Sequence, residues 1–133
     1  MIVDTSALVA ILKREPEQAA LSAILETERN LSMSAATLFE AGIVIDSARQ
    51  PALSRALDDL IENSRIEIEP VTAEQARIAR EAYRDYGRGS GHPANLNFGD
   101  CFSYALARAK REPILFKGDD FGFTDLRSAA PQP

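Results

Sequence analysis

The stretch "MIVDTSALVAILKRE", residues 1 to 15, sets the pattern from which the fold can be predicted. Its first four residues are a short apolar run that ends at Asp4, as expected of a short strand. Residues 5 to 15 have the composition of a helix, which Pro16 ends because proline cannot continue one. The chain therefore opens with a short strand that leads directly into a helix.

The same alternation of short strands and longer helices continues towards the C-terminus. Further strands are predicted at residues 31–34, 66–69 and 114–116, with a weaker candidate at 125–127. Further helices are predicted at residues 17–28, 35–50, 53–61, 72–86 and 98–110. Strands separated by helices predict an α/β fold, a three-layer α/β/α sandwich with a mainly parallel central sheet.

Two of these segments carry predictions about burial. In "IEIE", residues 66–69, isoleucines alternate with glutamates, so this strand has one wet face and is expected near a sheet edge. In the helix over 72–86, apolar residues recur at helical spacing and are expected to face the core. These inward residues are Ala76, Ala79, Tyr83 and Tyr86.

Length and composition limit the class of protein. The chain has 133 residues, of which 45% are hydrophobic and 26% charged, and these values fit one globular domain. We expect that domain to span residues 1–127 and residues 128–133 to form a frayed tail. The formal net charge of −5 argues against a protein that grips nucleic acid over its whole surface. It leaves room for a local basic patch or a bound cation.

Cysteine content and hydropathy indicate the compartment. Cys101 is the single cysteine, which excludes an intramolecular disulfide and a cysteine-based metal cluster. No apolar run reaches the length of about 18 residues that a transmembrane helix needs, and the N-terminal segment carries an acid where a signal peptide would be basic. The sequence therefore predicts a cytoplasmic protein without a membrane partner.

Carboxylates recur at the ends of the predicted strands. Asp4 ends the first strand, and the adjacent pair Asp119 and Asp120 follows the last clear one. Asp100 begins a helix after a long loop, and Glu40 lies in the helix after the second strand. Ligands of open α/β sheets bind outside the carboxyl ends of the strands. Topology alone therefore places most of these acids at the functional edge.

Taken one at a time, the acids also have structural interpretations. Asp4 or Thr5 would cap the helix that follows, and Asn97 with Asp100 fits a capping box. The pair at 119–120 fits an ordinary turn. Both interpretations remain open at this point for each of these acids.

Glu40 is the acid for which the structural interpretation is weakest. Thr37 and Glu40 have the spacing of a capping box. The neighbours of Glu40 are nevertheless apolar, and a carboxylate on such a helix is costly to bury unless it is paired or bound to metal.

Several carboxylates that converge without histidine or cysteine specify a hard cation. Ligation by oxygen alone suits Mg²⁺ or Mn²⁺ rather than zinc. Such an ion generates a nucleophilic hydroxide and neutralises charge on a phosphodiester during displacement. The acids therefore predict metal-dependent phosphodiester hydrolysis.

Four segments together carry a resemblance to a known family. They are "IVDTSALVAIL", "SAATLFEA", "GHPANLNFGDCFSYALA" and "PILFKGDDF". In this order they resemble the PIN-domain ribonucleases of bacterial VapC toxins, from Met1 to about Leu126. The resemblance implies a PIN-like α/β/α nuclease that uses Mg²⁺, or Mn²⁺ in its place, to cut structured RNA such as tRNA or a ribosomal RNA loop.

The same resemblance implies protein partners. VapC-like toxins are held inactive by a VapB-type antitoxin, and they usually form a homodimer that becomes a heterotetramer or larger with the antitoxin. Aliphatic residues of the helices around 20–25 and 53–61 would either form a groove for an amphipathic partner segment or belong to the core. A basic antitoxin side chain inserted among the acids would block the site, because arginine pairs well with clustered carboxylates.

Carried over by position, the resemblance assigns catalytic and metal-binding acids. They are Asp4, Glu40, Asp100 and one acid of "KGDDF". Many relatives place the fourth acid directly after a basic residue, where this chain has Gly118. We favour Asp119 because it is nearer the strand end, and Asp120 remains the alternative metal ligand.

Hydroxyl and basic residues near the predicted edge are candidates for substrate binding. The resemblance makes Thr5 and Ser6 neighbours of the site, and Lys13, Arg14 and Lys117 lie near enough to contact phosphates.

Other residues have milder predictions. The arginine stripe at 77, 80, 84 and 88 fits a solvated face better than an RNA track. His92 is expected to be structural or to contact substrate, Cys101 to be a buried inert thiol, and Tyr104 to lie in the core.

Two other functions remain open. One is a nuclease of the same fold that acts on another nucleic acid, which competition between RNA and DNA substrates would separate. The other is a regulatory α/β domain that binds Mg²⁺ at an acidic pocket. Receiver-like domains of that kind carry paired acids early in the chain, whereas here the first strand offers only Asp4.

Overall fold

The computed structural model describes residues 1–129, in which four parallel strands form one sheet. The strands are β1 (Ile2–Val3), β2 (Ser32–Ser34), β3 (Glu67–Glu69) and β4 (Ile114–Leu115). Their spatial order is β3, β2, β1, β4, and each neighbouring pair is parallel. The predicted parallel sheet is confirmed, and the "IEIE" segment does lie at an edge.

Six α-helices connect and follow the strands. They are α1 (Thr5–Leu12), α2 (Gln18–Thr27), α3 (Ala35–Asp46), α4 (Pro51–Asn63), α5 (Ala73–Tyr86) and α6 (Phe98–Lys110). Helices α1 and α3 end earlier than predicted. Arg14 and Arg49 adopt positive φ angles of 54° just beyond these ends, and such left-handed residues terminate a helix.

The sheet separates two hydrophobic cores. Val3 belongs to a core formed with α1 to α4, whereas its neighbour Ile2 belongs to a core formed with α5 and α6. Leu115 and Ile114 divide in the same way, because successive side chains of a strand point to opposite faces. Helices therefore cover both faces of the sheet, which confirms the three-layer α/β/α sandwich.

The inward face predicted for α5 is partly wrong. Tyr86 and Ala79 pack against the second core as expected, but Ala76 is exposed and Tyr83 is 49% exposed. Ala82 is buried in their place and packs in the core shared with α6. Hydrophobic periodicity located an apolar face but could not tell whether another element covers it.

The weak strand candidate at 125–127 is also wrong. Asp125 and Leu126 lie in a bend, and the segment contacts β4 through an isolated parallel bridge between Ile114 and Ser128, in which the Ile114 amide donates to the Arg127 carbonyl at 3.0 Å. The amide of Ala129 donates to the Ile114 carbonyl at 2.8 Å. Of the tail predicted at 128–133, residues 130–133 lie outside the described residues, and the domain bounds stay a prediction. Of the helices within residues 1–129, none combines the length and apolar character that a membrane span requires.

Candidate active site

Asp4 lies at the carboxyl end of β1, where it caps α1. Its side chain accepts a hydrogen bond from the Ser6 amide at 3.0 Å, so the capping interpretation is confirmed. The residue is nevertheless only 3% exposed. A carboxylate buried to this extent requires several donors.

Hydroxyl groups supply those donors to Asp4. Ser103 donates to Oδ1 at 2.6 Å, and the Ser6 hydroxyl donates to Oδ2 at 2.7 Å. Each serine is held in turn, because the Ser103 hydroxyl bonds Thr37 Oγ1 at 3.1 Å and the Ser6 hydroxyl accepts from the Lys117 amide at 3.0 Å. Both oxygens of Asp4 are therefore fixed by side chains from the helices that meet at this edge.

Ser103 is the site residue that sequence reasoning missed. It is fully buried on α6, three residues after Asp100, and so lies one helical turn further along the same face. A buried serine at this spacing from a candidate acid was the available signal. Ser6, by contrast, was predicted, and the structure places it against Asp4.

Glu40 projects from α3 towards the start of α1. Its Oε1 accepts a hydrogen bond from the Thr5 hydroxyl at 2.7 Å. The capping box suggested for Thr37 and Glu40 is wrong, because α3 begins at Ala35 with Ser34 as its cap. The carboxylate is therefore free of any capping role.

Gly99 allows Glu40 to approach the first turn of α6. A Cβ atom at position 99 would lie 1.6 Å from Glu40 Oε2, which no real contact permits. The carboxylate thus occupies the space that a side chain would fill, close to the positive end of the α6 dipole.

Asp100 combines a structural role with an electrostatic one. Its Oδ2 accepts from the Asn97 amide at 3.0 Å and Asn97 Oδ1 accepts from the Asp100 amide at 2.8 Å, so the predicted capping box is confirmed. The pKa of Asp100 is nevertheless raised to about 6, first by burial and then by the charges of Asp4, Asp120 and Glu40. The Asn97 bond opposes this rise but does not cancel it.

The pKa values of two further acids are raised. Burial is the largest cause for Glu40, with a contribution from Asp4, and the hydrogen bond from Thr5 opposes it. Burial is also the largest cause for Asp120; the charge of Arg88 opposes it, whereas Asp119 and Asp4 add to it.

Asp4, Glu40, Asp100 and Asp120 thus form one electrostatically coupled group, which we call the acid cluster. Like charges held this close favour a bound cation. Within residues 1–129, no three His, Cys, Asp or Glu side chains form a ready-made ligand set. The donors that the acid cluster offers are carboxylate oxygens, which hard divalent cations prefer.

The Gly-Asp-Asp turn after β4 separates its two acids. Gly118 has a φ of 101°, which favours glycine, and the turn leads into a 3₁₀ helix at Asp120–Phe123. Asp120 interacts with Asp4 and Asp100, whereas Asp119 acts only on Asp120 among the acids of the cluster. These charge interactions favour Asp120 over Asp119 as the fourth acid, and the choice stays a prediction.

The basic residues predicted to contact phosphates differ in position. The Lys117 ammonium pairs with Glu15 at 3.1 Å, and its backbone amide faces the site. Lys13 and Arg14 follow the far end of α1, whose eight residues span about 12 Å from Asp4. Substrate binding by these three residues stays a prediction.

The arginines of the stripe at 77, 80, 84 and 88 also differ in their surroundings. Arg84 pairs with Asp85 at 3.0 Å on an exposed surface, as expected of a solvated face. Arg88 instead interacts electrostatically with Asp120 of the acid cluster. Sequence spacing gave no sign of this difference.

Three residues with milder predictions are accounted for structurally. His92 accepts a hydrogen bond from the Ala94 amide at 3.1 Å within the loop. Cys101 is buried, and burial followed by the charge of Asp100 raises the pKa of its thiol to about 11, so the thiol is inert as predicted. Tyr104 is buried and donates to Asp125 at 2.6 Å.

Comparison with known proteins identifies the family. The PIN domain model matches residues 1–126. The ribonuclease VapC28 of Mycobacterium tuberculosis is 58% identical over 129 residues, which cover 97% of each chain. The chain belongs to the VapC ribonucleases of the PIN-domain family. A second relative, the ribonuclease VapC42 of the same species, is 51% identical over 129 residues, with 97% of this chain and 98% of the relative covered.

Solved structures of VapC toxins share the fold. VapC20 of Mycobacterium tuberculosis, a toxin that cleaves the sarcin-ricin loop, superposes with a TM-score of 0.79 at 19% identity and covers 98% of each chain. VapBC2 of Rickettsia felis, bound to a DNA fragment from its promoter, gives a TM-score of 0.71 at 15% identity, with 96% of this chain and 94% of that chain covered. These structures share the fold of this chain, and the resemblance to PIN-domain VapC ribonucleases is confirmed by the family match and the curated relatives.

Proposed function

We propose that this VapC-type ribonuclease is an endonuclease that depends on Mg²⁺ or Mn²⁺ and cleaves structured RNA, either tRNA or ribosomal RNA. The observation that carries the proposal is the convergence of Asp4, Glu40, Asp100 and Asp120 at the carboxyl edge of the sheet, where burial and then the repulsion between neighbouring carboxylates raise the pKa values of Glu40, Asp100 and Asp120. Repulsion between carboxylates is unfavourable in the free protein, and it is outweighed when a divalent cation attracts each of them. We place this activity in the cytoplasm, where those RNAs occur.

The residues of the acid cluster have distinct roles in this proposal. When bound, the cation supplies a nucleophilic hydroxide and stabilises charge on the phosphate. Three hydrogen bonds from Ser6 and Ser103 hold both oxygens of Asp4 in place. Thr5 orients Glu40, and the capping box holds Asp100 in one rotamer. Hydrogen bonds therefore restrict the orientation of Asp4, Glu40 and Asp100 before an ion binds.

Two hydroxyl groups in series also hold Asp4 in position. Ser103 can donate to Asp4 Oδ1 because its own hydroxyl is held by Thr37 Oγ1. Removing the Ser103 hydroxyl would leave Asp4 Oδ1 without this donor, so the carboxylate would no longer be held in one orientation. We infer that Ser103 is a positioning residue for the cation site.

A VapB-type antitoxin is the proposed protein partner. Two structural neighbours support it, namely a toxin–antitoxin complex from Klebsiella pneumoniae and VapBC2 of Rickettsia felis. A basic side chain from the antitoxin would relieve the same repulsion that a metal ion relieves, and would thereby block the site. We propose a homodimeric toxin that forms a heterotetramer or larger assembly with the antitoxin.

The first experiment is cleavage of a total tRNA and ribosomal RNA pool by purified protein freed of antitoxin. We expect cutting at discrete sites with Mg²⁺ or Mn²⁺ and none with EDTA, because the cation supplies the nucleophile. Intact RNA in every lane, with the protein folded by circular dichroism, would contradict the proposal. Preferential cutting of competing single-stranded DNA would favour a nuclease for another nucleic acid, and metal binding without any cutting would favour a regulatory domain.

The two acids of the Gly-Asp-Asp turn provide a matched pair of variants. Asp120→Asn is expected to lower kcat/KM for RNA about tenfold, because it removes one of several charges that act on the cation. Asp119→Asn is the control, with the same change one residue away, and should stay within about twofold of wild type. A larger loss in Asp119→Asn than in Asp120→Asn would restore the original preference for Asp119.

A further inference from the structure

A groove of about 800 Å³ lies directly beside the acid cluster, between α5 and the first turn of α6. Its volume falls within the range of about 300–1,000 Å³ typical of ligand sites in proteins. Glu40 lines this groove and also belongs to the acid cluster. A substrate held at the acids would therefore extend into the groove.

The groove contains a highly exposed aromatic ring. Phe98, the first residue of α6, has 79% of its surface exposed, and its ring meets that of Phe102 edge-on with centroids 4.9 Å apart. Exposing so much apolar surface is unfavourable. Helix capping does not require it, because Asn97 and Asp100 provide the capping box. Folding alone therefore gives no reason for an exposed phenylalanine at this position.

The other side of the groove is the face of α5 that periodicity wrongly assigned to the core. Ala76, Ala79 and Tyr83 all line it, and their spacing of three and four residues places them on one face. The two alanines are small and leave space in the groove. In addition to the ring of Phe98, the groove contains the aromatic ring of Tyr83. A Cβ atom at Gly87 would lie 2.6 Å from that ring, so the glycine permits its position.

Positive charge accompanies the aromatic rings. Arg80 and Arg88 both line the groove, and Arg88 interacts with Asp120 of the acid cluster. Proteins that bind single-stranded nucleic acids combine arginine side chains with aromatic rings. The bases stack on the rings, and the phosphates pair with the arginines. The groove matches that chemistry on a protein whose net charge is −5.

We propose that this groove is a nucleobase-binding subsite, in which an unpaired base beside the scissile phosphate stacks on Phe98. Arg80 and Arg88 contact the sugar–phosphate chain that leads to the acid cluster. The inference rests on the proposed cleavage of RNA at that cluster. It makes Phe98 a substrate-positioning residue and selects RNA in which a base can leave its helix, as in a loop.

Two features favour a nucleotide over a second copy of this chain as the occupant. The first is charge complementarity, because two arginines beside the groove suit a polyanion. The second is continuity with the acid cluster through Glu40, since the phosphate that is cut there carries a nucleotide on each side. An apolar protein segment would account for Phe98 but for neither of these features.

Binding to a chain that cannot cleave tests the inference separately from metal-dependent cleavage. The Asp100→Asn protein with Mg²⁺ would be titrated into a short, fluorescein-labelled, single-stranded oligoribonucleotide of mixed sequence, and into the same sugar–phosphate chain without bases. Adding Phe98→Ala is expected to weaken binding of the first probe about tenfold, because the ring no longer stacks with a base. Binding of the baseless chain should not change.

Three further variants make the result specific to stacking. Phe98→Leu keeps apolar bulk without an aromatic face and should lose as much affinity as Phe98→Ala. Phe98→Trp keeps an aromatic ring and should bind the oligoribonucleotide as tightly as the protein with Phe98. Phe39→Ala removes a phenylalanine of similar exposure, 70%, that does not line the groove, and should leave binding unchanged.

Several outcomes would overturn the inference. If Phe98→Ala weakened binding of both probes equally, stacking would not be involved. Full affinity of Phe98→Leu for the oligoribonucleotide would lead to the same conclusion. A change in sedimentation coefficient for Phe98→Ala without any change in oligonucleotide affinity would assign the groove to a second copy of the chain. Each outcome is independent of whether the wild-type protein cuts RNA.

Discussion

Replacing Gly99 with alanine is expected to reduce RNA cleavage about 10²-fold while the protein stays folded. The new Cβ would lie 1.6 Å from Glu40 Oε2 and 2.5 Å from its carboxyl carbon, so the carboxylate must move away. The atoms that must yield are the far end of a flexible side chain, which can rotate at little cost. Alanine also has the higher helix propensity, so unfolding free energy should change by less than about 1 kcal/mol.

Gly42→Ala is the matched control for this substitution. Gly42 also lies in a helix, two residues from Glu40, but a Cβ there would meet its nearest neighbouring atom at 4.0 Å, an ordinary contact. Cleavage by this variant should equal that of wild type, with stability unchanged or slightly increased.

A double substitution tests whether Gly99 acts through Glu40. Glu40→Gln alone is expected to lower kcat/KM for RNA, and adding Gly99→Ala to it should cost little more, because the group that the methyl displaces has already lost its charge. Additive losses, or a Gly99→Ala protein that cleaves normally, would contradict the assignment of Glu40 to the site. Circular dichroism and urea denaturation would establish that each variant is folded.

Asp100→Asn is expected to abolish cleavage, by about 10³-fold or more, and at the same time to stabilise the metal-free protein. Asparagine keeps an oxygen that can accept the Asn97 amide, so the capping box can survive. The substitution removes a charge that Asp4, Asp120 and Glu40 repel. We expect the unfolding free energy to rise by about 1 kcal/mol near pH 7.5. This value is lowered to allow for the partial solvent exposure of Asp100.

The pH dependence of this gain follows from the raised pKa of Asp100. Its pKa is about 6 in the folded protein against 3.8 for the ordinary group. Between these values the folded protein retains a proton that the unfolded chain has released, so wild-type stability falls as pH rises through this window. The stability advantage of Asp100→Asn should therefore be small near pH 4 and fully developed above about pH 6.5.

Urea denaturation of both proteins in EDTA, at several pH values, measures this difference. Asp58→Asn on the exposed surface of α4 is the control, and its stability relative to wild type should not vary across the same window. Adding Mg²⁺ should reverse the order, because the ion stabilises only the protein that retains the charge. Equal stability of wild type and Asp100→Asn at all pH values would contradict the coupling within the acid cluster.

The strand-end acids were predictable because parallel topology carries them to one place. Once strands and helices alternate, every strand ends at the same edge, so Asp4 and the acids after β4 must lie near each other. The positions of Asp4 and Asp100 needed only local signals, namely an apolar run before one and a capping box around the other. Both acids proved to combine a structural role with an electrostatic one, and so the two interpretations left open by the sequence were not exclusive.

Residues that act across the fold were not predictable in the same way. Ser103 bonds Asp4 across 99 positions in the chain, and its spacing of three residues from Asp100 does not by itself reveal that contact. The choice between Asp119 and Asp120 depends on which carboxylate the turn at Gly118 directs towards Asp4. Nearness to the strand end in sequence suggested Asp119, whereas the 3₁₀ turn brings Asp120 into the field of the other acids.

Local patterns in the chain were sufficient for the order of strands and helices, the parallel sheet and the edge at which the acids collect, because periodicity and turn residues act over a few positions. Contacts between distant segments were needed for the hydrogen bonds that hold Asp4, for the space that Gly99 leaves to Glu40, and for the groove beside them. The spacing of apolar residues on α5 identifies an apolar face of the helix. Whether that face meets the core or an open groove depends on where α6 packs, and the packing of α6 is set by the whole sheet.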